Sequence, residues 1–185
     1  MRKLVLYELL SLDGVAEAPE TFVADFEAEM NADLAAAIGT QDAVLLGRGT
    51  YDEWAGYWPT STEQPFAAFI NRVQKYVMTS TPLVKTWSNT SVIDRSATDH
   101  IHTLKSEPGG DIGVHGSILL AQSLLSAGLV DEVRLVVVPS VVGVGRRLFD
   151  GLGAPVNLEQ IYSTTTPGGA LLVGYRVAKP GHRTA

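Results

Sequence analysis

Two glycine-containing turns, each between a predicted strand and a predicted helix, have the residue types that bind phosphate. The first is Gly47-Arg48-Gly49-Thr50, and the second is Val114-His115-Gly116-Ser117. A helix N-terminus offers unpaired backbone N–H groups and a partial positive charge, and glycine lets the backbone approach a ligand closely. Arg48 adds a cation, while Thr50 and Ser117 can cap a helix or bind a phosphate oxygen. The same residues also suit an ordinary connection from strand to helix.

A third polar segment, Thr79-Ser80-Thr81, follows another predicted strand. In open α/β sheets, ligands bind beyond the carboxyl ends of the strands. Two glycine turns in one sheet therefore favour the two ends of a dinucleotide. The three hydroxyls beside Arg48 could hold a ribose 2′-phosphate, which predicts NADPH in preference to NADH. Neither turn matches the G-x-G-x-x-G or the P-loop pattern, so a standard Rossmann or P-loop site is not supported.

Asp13 is the candidate catalytic residue, because Ser11-Leu12-Asp13-Gly14 ends the first predicted strand. A carboxylate there could orient a reacting ring or relay a proton through water. Asp-Gly is equally an ordinary turn pair. Tyr51 and Trp54, which follow the first glycine turn, and Phe26 are candidate pocket residues. The alternative for such aromatic side chains is the hydrophobic core. His115 could donate from its ring to a phosphate or pack as a surface side chain.

The elements that must position these residues form a predicted α/β sheet. The first strand is apolar on both alternating faces, which is typical of a strand covered on both sides. A four-residue apolar spacing, running from Phe22 through Phe26 to Leu34, indicates one helix face. Strands alternate with helices early and pair directly late, so we predict a mostly parallel sheet with an antiparallel C-terminal edge. The predicted strands are 3–10, 43–46, 75–78, 91–93, 112–114, 132–138, 156–164 and 171–177. The predicted helices are 20–38, with an interruption, 50–55, 65–72, 98–106 and 118–127.

Composition excludes several classes of protein. The chain has 185 residues and no cysteine, which rules out disulfides, zinc–thiolate sites and thiol nucleophiles. Its net charge of −6 argues against nucleic-acid binding, which needs a basic surface. No run approaches the roughly 18 apolar residues of a membrane span, and the histidines do not form a metal-ligand set. We expect a cytoplasmic protein with one domain, residues 1–178, and a disordered tail, residues 179–185.

The order of the polar segments resembles the dihydrofolate reductase superfamily, and within it the RibD C-terminal domain branch of riboflavin-biosynthesis reductases. The resemblance covers residues 2–177. The segments that carry it are Ser11-Leu12-Asp13-Gly14, Leu45-Leu46-Gly47-Arg48-Gly49-Thr50-Tyr51, Lys75-Tyr76-Val77-Met78-Thr79-Ser80, Val114-His115-Gly116-Ser117, Gly128-Leu129-Val130-Asp131-Glu132-Val133-Arg134-Leu135, and Pro139 followed by Gly143-Val144-Gly145-Arg146-Arg147-Leu148-Phe149.

This resemblance implies a three-layer fold with an eight- or nine-stranded mixed sheet, and NADPH as hydride donor. Residues 47–50 would meet the adenosine side of NADPH, with Arg48 and residues 79–81 at the 2′-phosphate. Residues 114–117 would cradle the pyrophosphate, and residues 11–16 would lie over the nicotinamide. The implied activity is that of an NADPH-dependent oxidoreductase that acts on a small pterin-like or pyrimidine-like substrate. One such substrate is a riboflavin precursor, as in a 5-amino-6-(5-phosphoribosylamino)uracil reductase. The sequence lacks the His/Cys/Cys zinc site of the related deaminase domain, so we expect a stand-alone reductase domain, and the resemblance also implies a homodimer.

Three points distinguish the chain from its relatives or leave alternatives open. Thr81 stands where many relatives carry arginine. True dihydrofolate reductases place a buried carboxylate on the first helix, and four residues here lie in the right region: Asp25, Glu27, Glu29 and Asp33. The alternatives to a riboflavin-type reductase are a true dihydrofolate reductase and an NADPH-binding sensor without catalysis.

Overall fold

An eight-stranded sheet with helices on both faces forms the framework in the computed structural model, which describes residues 1–94 and 96–178. The predicted tail, residues 179–185, lies outside the described residues. The strands are β1 (Leu4–Ser11), β2 (Gln41–Gly47), β3 (Gln74–Met78), β4 (Thr90–Ile93), β5 (Asp111–His115), β6 (Glu132–Val138), β7 (Leu158–Thr165) and β8 (Leu171–Val177). The α-helices are α1 (Ala28–Ile38), α2 (Arg48–Tyr57), α3 (Phe66–Arg72), α4 (Ala97–Ser106) and α5 (Ile118–Ser126).

The strand order across the sheet is β4-β3-β2-β5-β1-β6-β8-β7. From β4 to β6 in this order, neighbouring strands pair in parallel. By contrast, β8 pairs antiparallel with both β6 and β7. The predicted mixed sheet, mostly parallel with an antiparallel C-terminal edge, is confirmed. Because parallel strands end at the same edge, the segments that follow β1, β2, β3 and β5 lie along one edge of the sheet.

Strand β1 is covered on both faces, as its sequence predicts. On one face, Leu6 packs in a cluster with Ile101 of α4 and Ala121 of α5. On the other face, Tyr7 packs in a cluster with Met30 of α1 and with α3. We call the first of these the α4/α5 face and the second the α1/α3 face of the sheet. Side chains alternate between the two faces along each strand, which decides where every candidate residue points.

The first helix is shorter than predicted. The sequence predicts an interrupted helix over 20–38, whereas α1 begins only at Ala28. Phe22 and Phe26 precede it as half-buried residues that pack on the α1/α3 face. Glu27 has extended backbone, with φ −62° and ψ 162°. Its carboxylate accepts a hydrogen bond from the Gly168 N–H at 2.8 Å, in the turn between β7 and β8. That contact holds the preceding segment outside the helix, although its apolar spacing is helical.

Candidate functional site

The two glycine turns contact each other at the carboxyl edge of the sheet. Strands β2 and β5 are neighbours, so the turns that follow them lie side by side. The Gly47 N–H donates to Ser117 Oγ at 3.1 Å, and Thr50 Oγ1 donates to the Gly116 carbonyl at 3.2 Å. The two segments that the sequence singled out separately are therefore one structural unit.

Both helices that begin at this unit have free N-terminal N–H groups. Helix α2 spans 10 residues and α5 spans 9. Among the described residues, no side chain caps either N-terminus. Gly49 is exposed, and a Cβ built on it would meet nothing within 4 Å. Two adjacent helix N-termini with open space in front of them have the geometry and partial positive charge that favour an anion.

Arg48 is held between α2 and the turn that follows β3. Its Nη1 donates to Thr81 Oγ1 at 2.6 Å and to the Pro82 carbonyl at 2.9 Å. Its Nε donates to Asp52 Oδ2 at 2.6 Å. Thr79 Oγ1 lies 3.1 Å from Thr81 Oγ1, so the guanidinium and two of the three predicted hydroxyls form one cluster. Ser80, next to them, is exposed.

Gly116 is the tightest point of the second turn. Its φ is +64°, a conformation that favours glycine. A Cβ at this position would lie 2.7 Å from Cζ2 of Trp54. Trp54 packs edge-on against Trp58 and Phe66, with ring centroids 5.8 Å and 5.5 Å apart. Trp54, which the sequence predicted near a pocket, therefore lies directly against the turn.

The predicted contact of the His115 ring with a phosphate is wrong in this geometry. His115 is the last residue of β5, and its side chain points into the α1/α3 face. There its Nε2 lies 2.8 Å from Gln41 Oε1, and its ring packs 5.3 Å from Phe66. Burial lowers the pKa of His115 to about 3, so the ring is neutral. Val114 points to the opposite face and is fully buried, which leaves Gly116 and Ser117 to meet a ligand.

One of the predicted pocket aromatics, Tyr51, lies in the core. Tyr51 is 1% exposed, its hydroxyl donates to the Lys85 carbonyl at 2.9 Å, and its ring packs with Trp87. It belongs to the core because it lies on the inner side of α2. Phe26 is half-buried ahead of α1, where it packs on the α1/α3 face.

Asp13 ties together two loops, 11–17 and 140–147, which we call the cover loops. Its Oδ1 accepts from the Val142 N–H at 3.0 Å and from the Ser11 hydroxyl at 2.7 Å. Its Oδ2 accepts from the Gly143 N–H at 2.9 Å and lies 3.3 Å from Arg147 Nη2. The Val142 and Ser11 hydrogen bonds, followed by that of Gly143, hold the pKa of Asp13 well below its usual range. This geometry does not support a catalytic role, because both oxygens are engaged and carry no proton.

Asp33 is the first-helix carboxyl that faces the sheet. Asp25 and Glu29 are exposed, and Glu27 is bound to the turn between β7 and β8. Asp33 Oδ1 accepts from the Tyr162 hydroxyl at 2.7 Å. On α1, Asp33 lies three residues after the buried Met30 and four residues before the buried Ala37. This helical spacing could have identified it as the carboxyl that faces the sheet.

Tyr7 completes this polar group on the α1/α3 face. Within the described part of the chain, the Tyr7 hydroxyl and Asp33 Oδ2 are buried and have no hydrogen-bond partner. Burial, and then the Asp33 carboxylate, raise the pKa of both Tyr7 and Tyr162 above the usual range. Gly174 makes room for the Tyr162 ring, which a Cβ there would overlap. A buried donor and a buried acceptor without partners are the arrangement that a polar ligand would complete.

The overall fold matches that of solved structures. Dihydrofolate reductase from Enterococcus faecalis, complexed with NADP(H) and RAB-propyl, matches with a TM-score of 0.61 and 14% identity, over 96% of this chain and 97% of that one. A putative riboflavin biosynthesis protein from Shewanella sp. PV-4 matches with a TM-score of 0.78 and 16% identity, over 96% and 99% of the two chains. The chain therefore has the dihydrofolate reductase-like fold, as predicted.

The sequence comparisons identify the family. The profile of the RibD C-terminal domain family matches residues 2–172, and the chain belongs to this family. The uncharacterized protein YyaP from Bacillus subtilis (strain 168) is 27% identical over 179 residues, which cover 94% of each chain. The resemblance stated from the sequence is thereby confirmed.

Two further observations concern the part of the chain that the structure describes. No helix in it has the length and apolar character needed to cross a bilayer. Nor do any three of its histidine, aspartate and glutamate side chains come together in a way that could hold a metal ion.

Proposed function

We propose that the chain is an NADPH-dependent reductase that transfers a hydride to a small heterocyclic substrate of pterin or pyrimidine type. The observation that carries the proposal is the joined pair of uncapped helix N-termini beside the cluster of Arg48 and Thr81. Membership of the RibD C-terminal domain family, together with a fold shared with a dihydrofolate reductase complexed with NADP(H), supports it.

The residues present fit the cofactor. Arg48, with Thr79, Ser80 and Thr81, would bind the 2′-phosphate, because a guanidinium forms charge-assisted hydrogen bonds to phosphate oxygens. Gly116, Ser117 and the first N–H groups of α2 would bind the pyrophosphate. When bound, NADPH supplies the hydride.

The α1/α3 face would receive the substrate. Asp33 offers an acceptor and Tyr7 a donor, so a ring that presents an N–H beside a carbonyl or ring nitrogen would satisfy both. Trp54 and Phe26 add aromatic surface for a planar ring. A reduction also consumes a proton, and the low pKa of Asp13 excludes that residue as its source. Asp33 also favours the second candidate, a true dihydrofolate reductase, whose substrate carries the same pattern of N–H groups.

The test of the cofactor assignment is Arg48→Ala. A charge-assisted contact contributes roughly 1.5–3 kcal/mol, so we expect NADPH affinity to fall about ten- to a hundredfold while NADH affinity changes little. Arg48→Lys should recover part of the loss, since lysine keeps the positive charge but lacks the paired N–H donors of the guanidinium. Arg72→Ala, which removes an exposed arginine at the end of α3, is the matched control. Equal losses for NADPH and NADH would contradict the assignment.

Catalysis is tested separately by a substrate screen. Pterin and aminopyrimidine substrates are incubated with NADPH, and the loss of nicotinamide absorbance is followed. A substrate that is turned over by the wild type and much more slowly by Asp33→Asn supports the reductase. Tight NADPH binding without turnover on any substrate would favour the sensor.

A further inference from the structure

Tyr162 reaches the first-helix carboxyl from the edge of the sheet. It lies on β7, the outermost strand, and a β-bulge between Gln160 and Tyr162 shifts the register of β7 with β8. After the bulge, Tyr162 pairs with Gly174 of β8, and a Cβ at that glycine would overlap Cε1 of the tyrosine ring. Bulges redirect side chains, and a glycine within a strand marks a close approach. The bulge and the glycine together therefore set the position of the Tyr162 ring.

Tyr162 belongs to a row of paired residues that crosses four strands under α1. Gly174 also pairs with Arg134 of β6, which in turn pairs with Tyr7 of β1. Paired residues on neighbouring strands point to the same face, and both Tyr7 and Tyr162 pack in the cluster of the α1/α3 face. Arg134 Nε donates to Glu132 Oε1 at 2.6 Å, so the charge of this arginine is balanced by a partner on its own strand. The row thus places two tyrosine side chains on the face that α1 covers.

The two oxygens of Asp33 differ in what they can accept. Oδ1 accepts from the Tyr162 hydroxyl at 2.7 Å, whereas Oδ2 is buried without a partner in the described part of the chain. The Tyr7 hydroxyl is likewise buried and unpaired there. A carboxylate with both oxygens free can accept two parallel N–H groups from one ligand, as it does from a guanidinium. Because the Tyr162 hydroxyl occupies Oδ1 and its ring is fixed over Gly174, Asp33 retains one oxygen for a ligand.

We propose that Tyr162 is a specificity-determining residue, which selects a ring that offers a single N–H beside a carbonyl and disfavours a ring that offers two parallel N–H groups. The proposal rests on the proposed function, because it takes Asp33 and Tyr7 as the substrate site. The ring N–H would donate to Asp33 Oδ2, and the carbonyl would accept from the Tyr7 hydroxyl. A second N–H beside the first would meet Oδ1, which Tyr162 already holds, and would stay unpaired.

This selection separates the two candidate substrate classes. A pyrimidine of uracil type presents an N–H between two carbonyls, whereas a pterin presents an N–H beside an amino group, as two parallel donors. A buried N–H group that stays unpaired weakens binding about tenfold or more. The hydrogen bond from Tyr162 to Asp33 thus favours a pyrimidine-type substrate over the pterin of a true dihydrofolate reductase.

The test compares two probes that share one bicyclic ring. Lumazine carries a carbonyl at the position where pterin carries the amino group, so lumazine presents the single N–H. Their affinities for the protein without cofactor are measured from the change in their own fluorescence. We expect the wild type to bind lumazine about tenfold more tightly than pterin. Tyr162→Phe, which removes only the hydroxyl, should strengthen pterin binding about tenfold and change lumazine binding little.

Two further variants separate the position of the ring from its hydroxyl. Gly174→Ala keeps the hydroxyl but displaces the ring from β8, so it should shift the preference toward pterin as Tyr162→Phe does. Tyr175→Phe is the matched control, because it removes the hydroxyl of a neighbouring β8 tyrosine that pairs with Val133 and so points to the α4/α5 face. It should keep the wild-type ratio of the two affinities.

The ratio of the two affinities decides the role of Tyr162, because a purely structural role would lower both affinities together. An unchanged ratio in Tyr162→Phe and Gly174→Ala, or an equal loss for both probes, would overturn the proposal. Asp33→Ala tests the site itself and should weaken the binding of both probes. If Asp33→Ala binds both probes as the wild type does, or if the wild type binds neither, the substrate site of the proposed function is refuted. Loss of lumazine binding in Asp33→Ala, together with an unchanged ratio in Tyr162→Phe, would refute the role of Tyr162 alone.

Discussion

The two glycine turns look alike in sequence but differ in what their glycines do. Gly49 in the first turn has open space around it, and no atom would lie within 4 Å of an added Cβ. Gly116 in the second turn has φ +64° and the Trp54 ring where a Cβ would stand. Gly49 leaves open space on the solvent side of its turn, whereas Gly116 permits a left-handed backbone conformation in a closely packed position. A glycine near the start of a helix can therefore serve at least two structural roles, which substitutions can separate.

The largest effect is expected at the second turn, from Gly116→Ala. A left-handed conformation costs a non-glycine residue about 1–2 kcal/mol, and the new methyl group would also displace Trp54. We expect NADPH affinity, measured by titration, to fall about a hundredfold or more, because the turn must move. Gly128→Ala is the matched control, since Gly128 has φ +66° and nothing within 4 Å of its Cβ position. It should lose similar stability without losing affinity, and an equal loss of affinity would show that strain alone is responsible.

An intermediate effect is expected where the turns join, from Ser117→Ala. The buried Ser117 hydroxyl accepts the Gly47 N–H, and its removal leaves that N–H unpaired at a cost of about 1–3 kcal/mol. Urea unfolding should show this loss, and NADPH affinity should fall about tenfold as the turns separate. Ser123→Ala, which removes an exposed hydroxyl from the same helix, is the control. Unchanged affinity would mean that the turns act independently.

The smallest effect is expected at the first turn, from Gly49→Ala. The position lies in α2 with free space, and alanine favours helix by up to about 1 kcal/mol. Thermal unfolding should therefore show equal or slightly greater stability. A methyl group would occupy part of the space in front of the helix, so NADPH affinity should fall about threefold. If the variant binds NADPH as well as the wild type does, the ligand does not approach closely at Gly49. The open space at Gly49 would then have no role in binding, and the proposed difference between the two turns would be contradicted.

The sequence predicts the sheet well because successive side chains of a strand point to opposite faces, so the pattern of apolar residues indicates which faces are covered. Strand β1 is apolar on both faces and is buried on both, and β7 pairs directly with β8, as the short connection between them favours. The first helix was predicted too long, because the spacing of Phe22 and Phe26 matches a helix while Glu27 is fixed by Gly168, which lies far along the chain. Such a contact leaves no local signal.

In the candidate site, too, some features follow from local sequence patterns and others depend on contacts between distant parts of the chain. The proximity of Arg48 to residues 79–81 follows from which strands are adjacent, and the structure contains it. The place of His115 in a predicted turn suggests either a phosphate contact or an exposed side chain, but β5 continues through His115 and the alternation of side chains along the strand directs its ring inward. The engagement of Asp13 depends on Val142, which no local pattern connects with it. Asp33 could have been found from helical spacing, whereas its partner Tyr162 could not.

The cover loops are joined along their length as well as at Asp13. Glu17 pairs with Arg146, whose carbonyl accepts the Ala16 N–H at 2.9 Å, and Val15 forms a β-bridge with Arg147. Neither loop can lift without breaking the contacts of the other, so their motions are coupled into a single cooperative step. A ligand site beneath these loops would therefore open in one step, and the rate of that step would limit ligand exchange there.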